Sequence, residues 1–128
     1  MATIKSYTDI EQSRKLAEIL PLESADMFHF IHEVDTVGFG YKMDAAEFYS
    51  KTKFEYIPCW SLAALLNIIP KRIKEYNVLR IDIAEDDFAI WYDEIGYGVN
   101  NDLPNITMKS AIDACYEMIL KLYELKML

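Results

Sequence analysis

Residues 79–92 constrain the fold more than any other part of this sequence. Leu79, Ile81 and Ile83 alternate with Arg80 and Asp82; Glu85-Asp86-Asp87 interrupts; then Phe88, Ile90 and Tyr92 alternate with Ala89, Trp91 and Asp93. Successive side chains of an extended chain point to opposite faces, so each run has one apolar face. That pattern specifies an antiparallel hairpin covered on one side, with the three acidic residues at its turn. The apolar face requires helices to cover it.

Three segments carry helical spacing. Thr8-Asp9-Ile10-Glu11 has the form of a capping box, and Ile10, Leu16, Ala17 and Leu20 then recur until Pro21, giving a helix over 10–20. Pro58 suits a first helical turn, and between Trp60 and Ile69 only Ser61 and Asn67 are polar, giving a second, largely buried helix over 60–69. Ser110, with Asp113 three residues on, opens a third over 111–126. Its polar positions Asp113, Glu117, Lys121 and Glu124 fall within an arc of about 80° at about 3.6 residues per turn. The rest of its circumference is apolar, Met118 and Leu125 included.

A further strand pair is expected at 27–34 and 37–43, where Phe28, Phe30 and His32 alternate with Met27, His29 and Ile31. Residues 44–56 have no clean period and read as irregular with one helical turn; 94–104 reads as a loop. The expected fold is therefore α+β: one domain over residues 1–128, ordered α-β-β-α-β-β-α, with an antiparallel sheet of about four strands packed by three helices. Ile19-Leu20-Pro21 and Ile68-Ile69-Pro70 each precede a strand pair, and the four glycines fall in Gly38-Phe39-Gly40 and Gly96-Tyr97-Gly98, a faint αββ echo.

Charge narrows the function classes. With 13 basic and 21 acidic residues the net charge is -8, which repels nucleic acid and anionic membranes. No segment approaches about 18 uninterrupted apolar residues, so no membrane span is expected. The start of the chain lacks the apolar run of a signal peptide. Cys59 and Cys115 lie far apart in apolar stretches, as reduced thiols do in a cytoplasmic protein.

Several constellations invite chemistry. His29 and His32 are three residues apart on one strand, so their imidazoles diverge and do not form a zinc pair. Cys59, beside an expected helix start, would need a histidine to serve as a nucleophile, with His29 or His32 as the candidates. Asp82, Asp86, Asp87, Asp93 and Glu94 gather around one hairpin, where burial of one carboxyl would create an acid–base pair. Lys71, Arg72 and Lys74 are three cations, too few for strong phosphate binding. The two Gly-x-Gly elements lack the third glycine and the helix of a dinucleotide loop, so no cofactor is expected.

The segments 19–27, 56–66 and 113–122 (Asp113-Ala114-Cys115-Tyr116-Glu117-Met118-Ile119-Leu120-Lys121-Leu122) resemble a family of small uncharacterised proteins from gut anaerobic bacteria and their phages or mobile elements. The resemblance implies a compact cytoplasmic domain in a mobile-element setting. It carries no functional residues over.

The leading expectation is a non-enzymatic accessory or protein-interaction domain that forms a homodimer or binds a protein partner. The surface expected to serve comprises Trp91 with Arg80 and Asp82 on the polar face of the hairpin, and Met118 and Leu125 on the last helix. An aromatic side chain among polar groups suits an interface anchor. The alternative is an acidic inhibitor or nucleic-acid-mimicking decoy, and the third reading is an enzyme using a carboxylate pair. No catalytic, cofactor or metal residue is assigned.

Overall fold

The computed structural model describes residues 5–128. The protein is α+β with antiparallel sheets. In chain order its elements are α1 (Ile10–Ile19), a 3-10 turn (Leu22–Ser24), β1 (Met27–His32), β2 (Val34–Phe39), α2 (Met43–Tyr49), β3 (Glu55–Cys59), α3 (Leu62–Ile68), β4 (Arg72–Ile73), β5 (Asn77–Ile83), β6 (Phe88–Glu94), β7 (Gly98–Val99), β8 (Ile106–Met108) and α4 (Ala111–Glu124). Among the described residues there are thus four α-helices and two sheets, instead of three helices on one sheet of about four strands. The chain divides into two compact units, Ser6–Ala64 and Leu65–Leu128 with Lys5, and the boundary falls within α3.

In the first unit the strands lie in the order β2-β1-β3. The β1–β2 reversal is tighter than the sequence suggests: His32 pairs with Val34, and Glu33 turns the chain at φ 67°. A non-glycine residue in left-handed geometry left no turn signal to read. The helix cap also sits one residue later than expected, because Asp9 accepts from the Gln12 N–H at 2.8 Å while the Gln12 side chain accepts from the Asp9 N–H. Thr8 is thereby freed from capping and is buried.

The 44–56 stretch holds most of a helix, which begins at Met43 where a strand end is expected, and the start of a strand. Met43–Tyr49 is helical, and Glu55–Cys59 pairs with β1 in the register Phe28↔Pro58 and Phe30↔Tyr56. Pro58 therefore sits in an outer strand rather than in a first helical turn. The Asp26 carbonyl accepts from the Gly40 N–H, on the β2 side. Main-chain groups alternate sides along a strand, so Phe28 also faces its amide and carbonyl towards β2, and Phe28↔Pro58 makes no main-chain bond. The proline ring nitrogen consequently lies on the outward edge of β3, where strands tolerate proline.

In the second unit the order is β4-β5-β6-β7, with β8 also paired to β6. The 79–92 hairpin forms with Leu79↔Tyr92, Ile81↔Ile90 and Ile83↔Phe88 sharing one face and Arg80↔Trp91 and Asp82↔Ala89 the other. α4 packs on β6 and β8, so Phe88, Ile90, Tyr92, Ile112, Met118, Ile119 and Leu122 form the core. The expected Ser110 cap holds: its Oγ accepts from the Asp113 N–H at 3.2 Å. The 94–104 loop contains the short strand β7.

Candidate functional site

The arrangement nearest to catalytic machinery lies in the first unit. β1 and β3 place Met27↔Cys59 and His29↔Ile57 on one face, so Cys59 and His29 are diagonal neighbours. The hairpin brings Asp35 beside them, with its carboxylate oxygens 3.0 and 3.1 Å from His29 Nδ1. A cysteine, a histidine and a carboxylate in that order look like the parts of a thiol nucleophile. The two histidines diverge as expected: His29 is buried, and His32, on the other face, is exposed with its ring 4.3 Å from Phe54.

The bonding shows that these parts do not work together as a nucleophile. His29 Nε2 is 2.8 Å from the Thr8 carbonyl, which can only accept, so Nε2 carries a proton and offers no lone pair to the thiol. Cys59 has no solvent exposure and donates to the same carbonyl at 3.4 Å. Burial, above all, pushes its thiol above the ordinary range; the Thr8 and Ser13 hydroxyls only partly offset this, and Asp26 and Asp35 push the same way. The thiolate, which is the reactive species, is disfavoured. Thr8 Oγ1 lies 2.7 Å from Ser13 Oγ and accepts from the Trp60 N–H at 3.1 Å, so the cluster ties α1, β1 and β3 together. It is a structural joint.

The other face of β1 carries an aromatic layer. Phe28 lies over Tyr56 (4.9 Å between centroids), Phe30 contacts Tyr49 (5.0 Å) and Phe54 (5.5 Å), and Tyr41 stacks on Tyr56 (5.2 Å). Tyr49, Phe54 and Tyr56 thus have a place without a period: they converge on one sheet face from α2, the loop after it and β3, while Phe48 stays exposed.

The expected interface residues separate. Trp91, Arg80 and Asp82 do share the polar face of the β5–β6 hairpin. Asp93 links the first two, accepting from Trp91 Nε1 at 2.7 Å and from Arg80 Nε at 3.4 Å, and Trp91 is half-buried. Leu125 is 48% exposed at the end of α4. Met118 is corrected: it faces the sheet and has no exposure, because the apolar circumference of α4 is largely consumed by β6 and β8. The basic run does not form a cluster of free cations either; Lys71 Nζ is bonded to the carbonyls of Leu66 and Ile69 (2.9 Å for the latter), closing α3.

Apolar surface lies elsewhere, and sequence reasoning missed it. Ile81 (40% exposed) and Ile83 (76%) stand on the core face of β5 but beyond its covered part. At the other end of the hairpin Tyr76, Ile95, Tyr97 (84%) and Val99 are all exposed, and the Tyr76 carbonyl accepts from the Ile95 N–H. Alternation shows the face that Ile81 and Ile83 share, but not where the covering helix stops; 94–104 reads only as a loop.

Both cysteines are free thiols, and burial pushes that of Cys115 up to about 12. No group of three or more candidate metal ligands occurs among the described residues, and none of their helices is long and apolar enough to cross a membrane. Comparison with known proteins finds no family model that matches the chain, and no curated protein or solved structure that matches it significantly.

Proposed function

We propose that this chain is a protein-interaction domain that acts by joining a second copy of itself or another protein through exposed apolar surface, without chemistry of its own. The observation that carries the reading is the exposure of Ile81 and Ile83 in consecutive core-facing positions of a strand. Large aliphatic side chains left in water side by side are worth roughly 25 cal/mol per Å² when covered, and such patches mark contact surfaces. The sealed Cys59–His29–Asp35 cluster supports it further, since its thiol and imidazole are committed to the Thr8 carbonyl.

The acidic-decoy reading has less behind it. A decoy needs a continuous stripe of carboxylates, whereas Asp93 on the hairpin is paired to Arg80 and Trp91, and Asp82 lies two residues from the same arginine on the same face of β5. Sedimentation equilibrium from low to high micromolar concentration tests the proposal. A mass rising above 14.9 kDa with concentration supports it. A constant 14.9 kDa, together with no crosslinked species in the cells that carry the chain, overturns it.

A further inference from the structure

We infer that two copies of this chain pair through the free edge of β5, antiparallel about a two-fold axis at Ile83. The inference rests on the interaction reading above and names its surface and its occupant. The edge is defined by hydrogen bonding. Leu79 N–H bonds to the Lys71 carbonyl on the β4 side, whereas Ala84 N–H bonds to the Asp87 carbonyl on the β6 side. Odd residues of β5 therefore turn their main-chain groups away from β6. β4 pairs with β5 only at Asn77 and Val78 and, through Lys71, at Leu79. Among the described residues no backbone group bonds to Ile81 or Ile83 on that side, which leaves a template for another strand.

Charge selects the occupant. The edge runs into the acidic turn Glu85-Asp86-Asp87, and beside its other end lies an open groove of about 490 Å³ that includes Lys71, Arg72 and Arg80. One copy thus carries three anions at the turn end of β5 and the cations Arg80, Arg72 and Lys71 towards its other end, Arg80 being paired to Asp93 and the Lys71 ammonium bonded to the Leu66 and Ile69 carbonyls. An antiparallel second copy brings its acidic turn towards Arg80.

The registers of such a pair can be told apart. Centred on Ile81, the second copy's Ile83 falls opposite Leu79, where Lys71 is already bonded. Centred on Asp82, that residue opposes its own copy, and like charges directly opposite are destabilising; centred on Ala84, the pairing falls on the turn, where β5 has already ended. Centred on Ile83, the two isoleucines meet, Asp82 faces Ala84, and Arg80 of each copy lies towards the acidic turn of the other. The second copy's chain turns back at Asp86 and Asp87, so it stops short of Lys71. A two-fold pair of this kind closes on itself.

Sedimentation equilibrium of the full chain and three variants tests this. Ile83 is 76% exposed, so Ile83→Lys leaves the fold intact, which its thermal melt verifies. The expected result is a dimer of the wild type, weakened at least about tenfold by Ile83→Lys. Arg80→Glu weakens it similarly, and Arg80→Glu combined with Asp86→Arg restores it. A dimer insensitive to Ile83→Lys and Arg80→Glu overturns the β5 edge and leaves self-association standing on another surface. A wild-type chain that stays at 14.9 kDa at every concentration overturns the pairing, and leaves the edge to a different protein.

Discussion

Phe28 lies across Gly38 so closely that a β-carbon there would stand 2.4 Å from the tip of its ring. The two are cross-strand partners in β1 and β2, and the ring is held from its other side by Tyr56. Gly38→Ala is therefore expected to destabilise the first unit by about 1–3 kcal/mol, the usual cost of overpacking. Urea unfolding measures it, and Phe28→Leu in the same chain should recover part of the loss. Equal costs with and without Phe28→Leu would show that the ring is not the obstacle.

Thr8 joins α1 to β3 through its side chain as well as its carbonyl. Thr8→Val keeps the shape but removes the acceptor of the Trp60 N–H and the partner of Ser13 Oγ. A buried donor left unsatisfied costs about 1–3 kcal/mol, and a loss of that size is expected in urea unfolding. Trp60 is fully buried with its Nε1 bonded to Ser24 Oγ at 3.0 Å, so loosening of this joint should also red-shift the folded-state tryptophan emission.

Alkaline pH should weaken the fold. Burial pushes the Cys115 thiol from its ordinary 9.0 up to about 12, and moves the Tyr92 phenol upward for the same reason. Above about pH 9 the unfolded chain loses the Cys115 proton while the folded chain keeps it. The stability held below that pH therefore falls as pH rises towards about 12. Cys115→Ala should make that decline shallower, whatever its effect at neutral pH. Urea midpoints at about pH 8 and about pH 10 for both proteins check it. In the native state both thiols should resist alkylation and react freely on unfolding.

Met118 within α4 and Leu125 at its C-cap should behave oppositely. Met118 is sealed against the sheet, and Met118→Ala should cost about 2–5 kcal/mol. Leu125, exposed after the last turn, should lose no more than about 0.5 kcal/mol on the same change. Thermal or urea unfolding of the pair decides whether α4 is chiefly a core helix.

Period-two alternation between Leu79 and Tyr92 was enough to place the hairpin, its register face and the polar company of Trp91. The caps at Asp9 and Ser110 were legible because local side-chain oxygens announce them, although the first was displaced by one residue. Pro58 misled, since proline fits both a helix start and an outer strand edge, and only pairing with Phe28 distinguishes the two. Tyr49, Phe54 and Tyr56 show no period because they converge from a helix, a loop and a strand onto one face. The Cys59–His29–Asp35 cluster combines residues distant in sequence, and its inertness depends on a backbone carbonyl that no motif records.

The ring of Pro58 on the outward side of β3 has a consequence for how this protein avoids fibrils. A sheet with two open borders can recruit strand after strand without limit. Along β3 an incoming chain would meet no donor at Pro58, and at Trp60 it would find the carbonyl already taken by the Thr8 N–H. That border is blunted, whereas the β5 border keeps its amides at Ile81 and Ile83. Each sheet thus meets the hazard of strand-by-strand growth in its own way: a proline on β3 in the first, and an acidic turn at the end of the exposed part of β5 in the second.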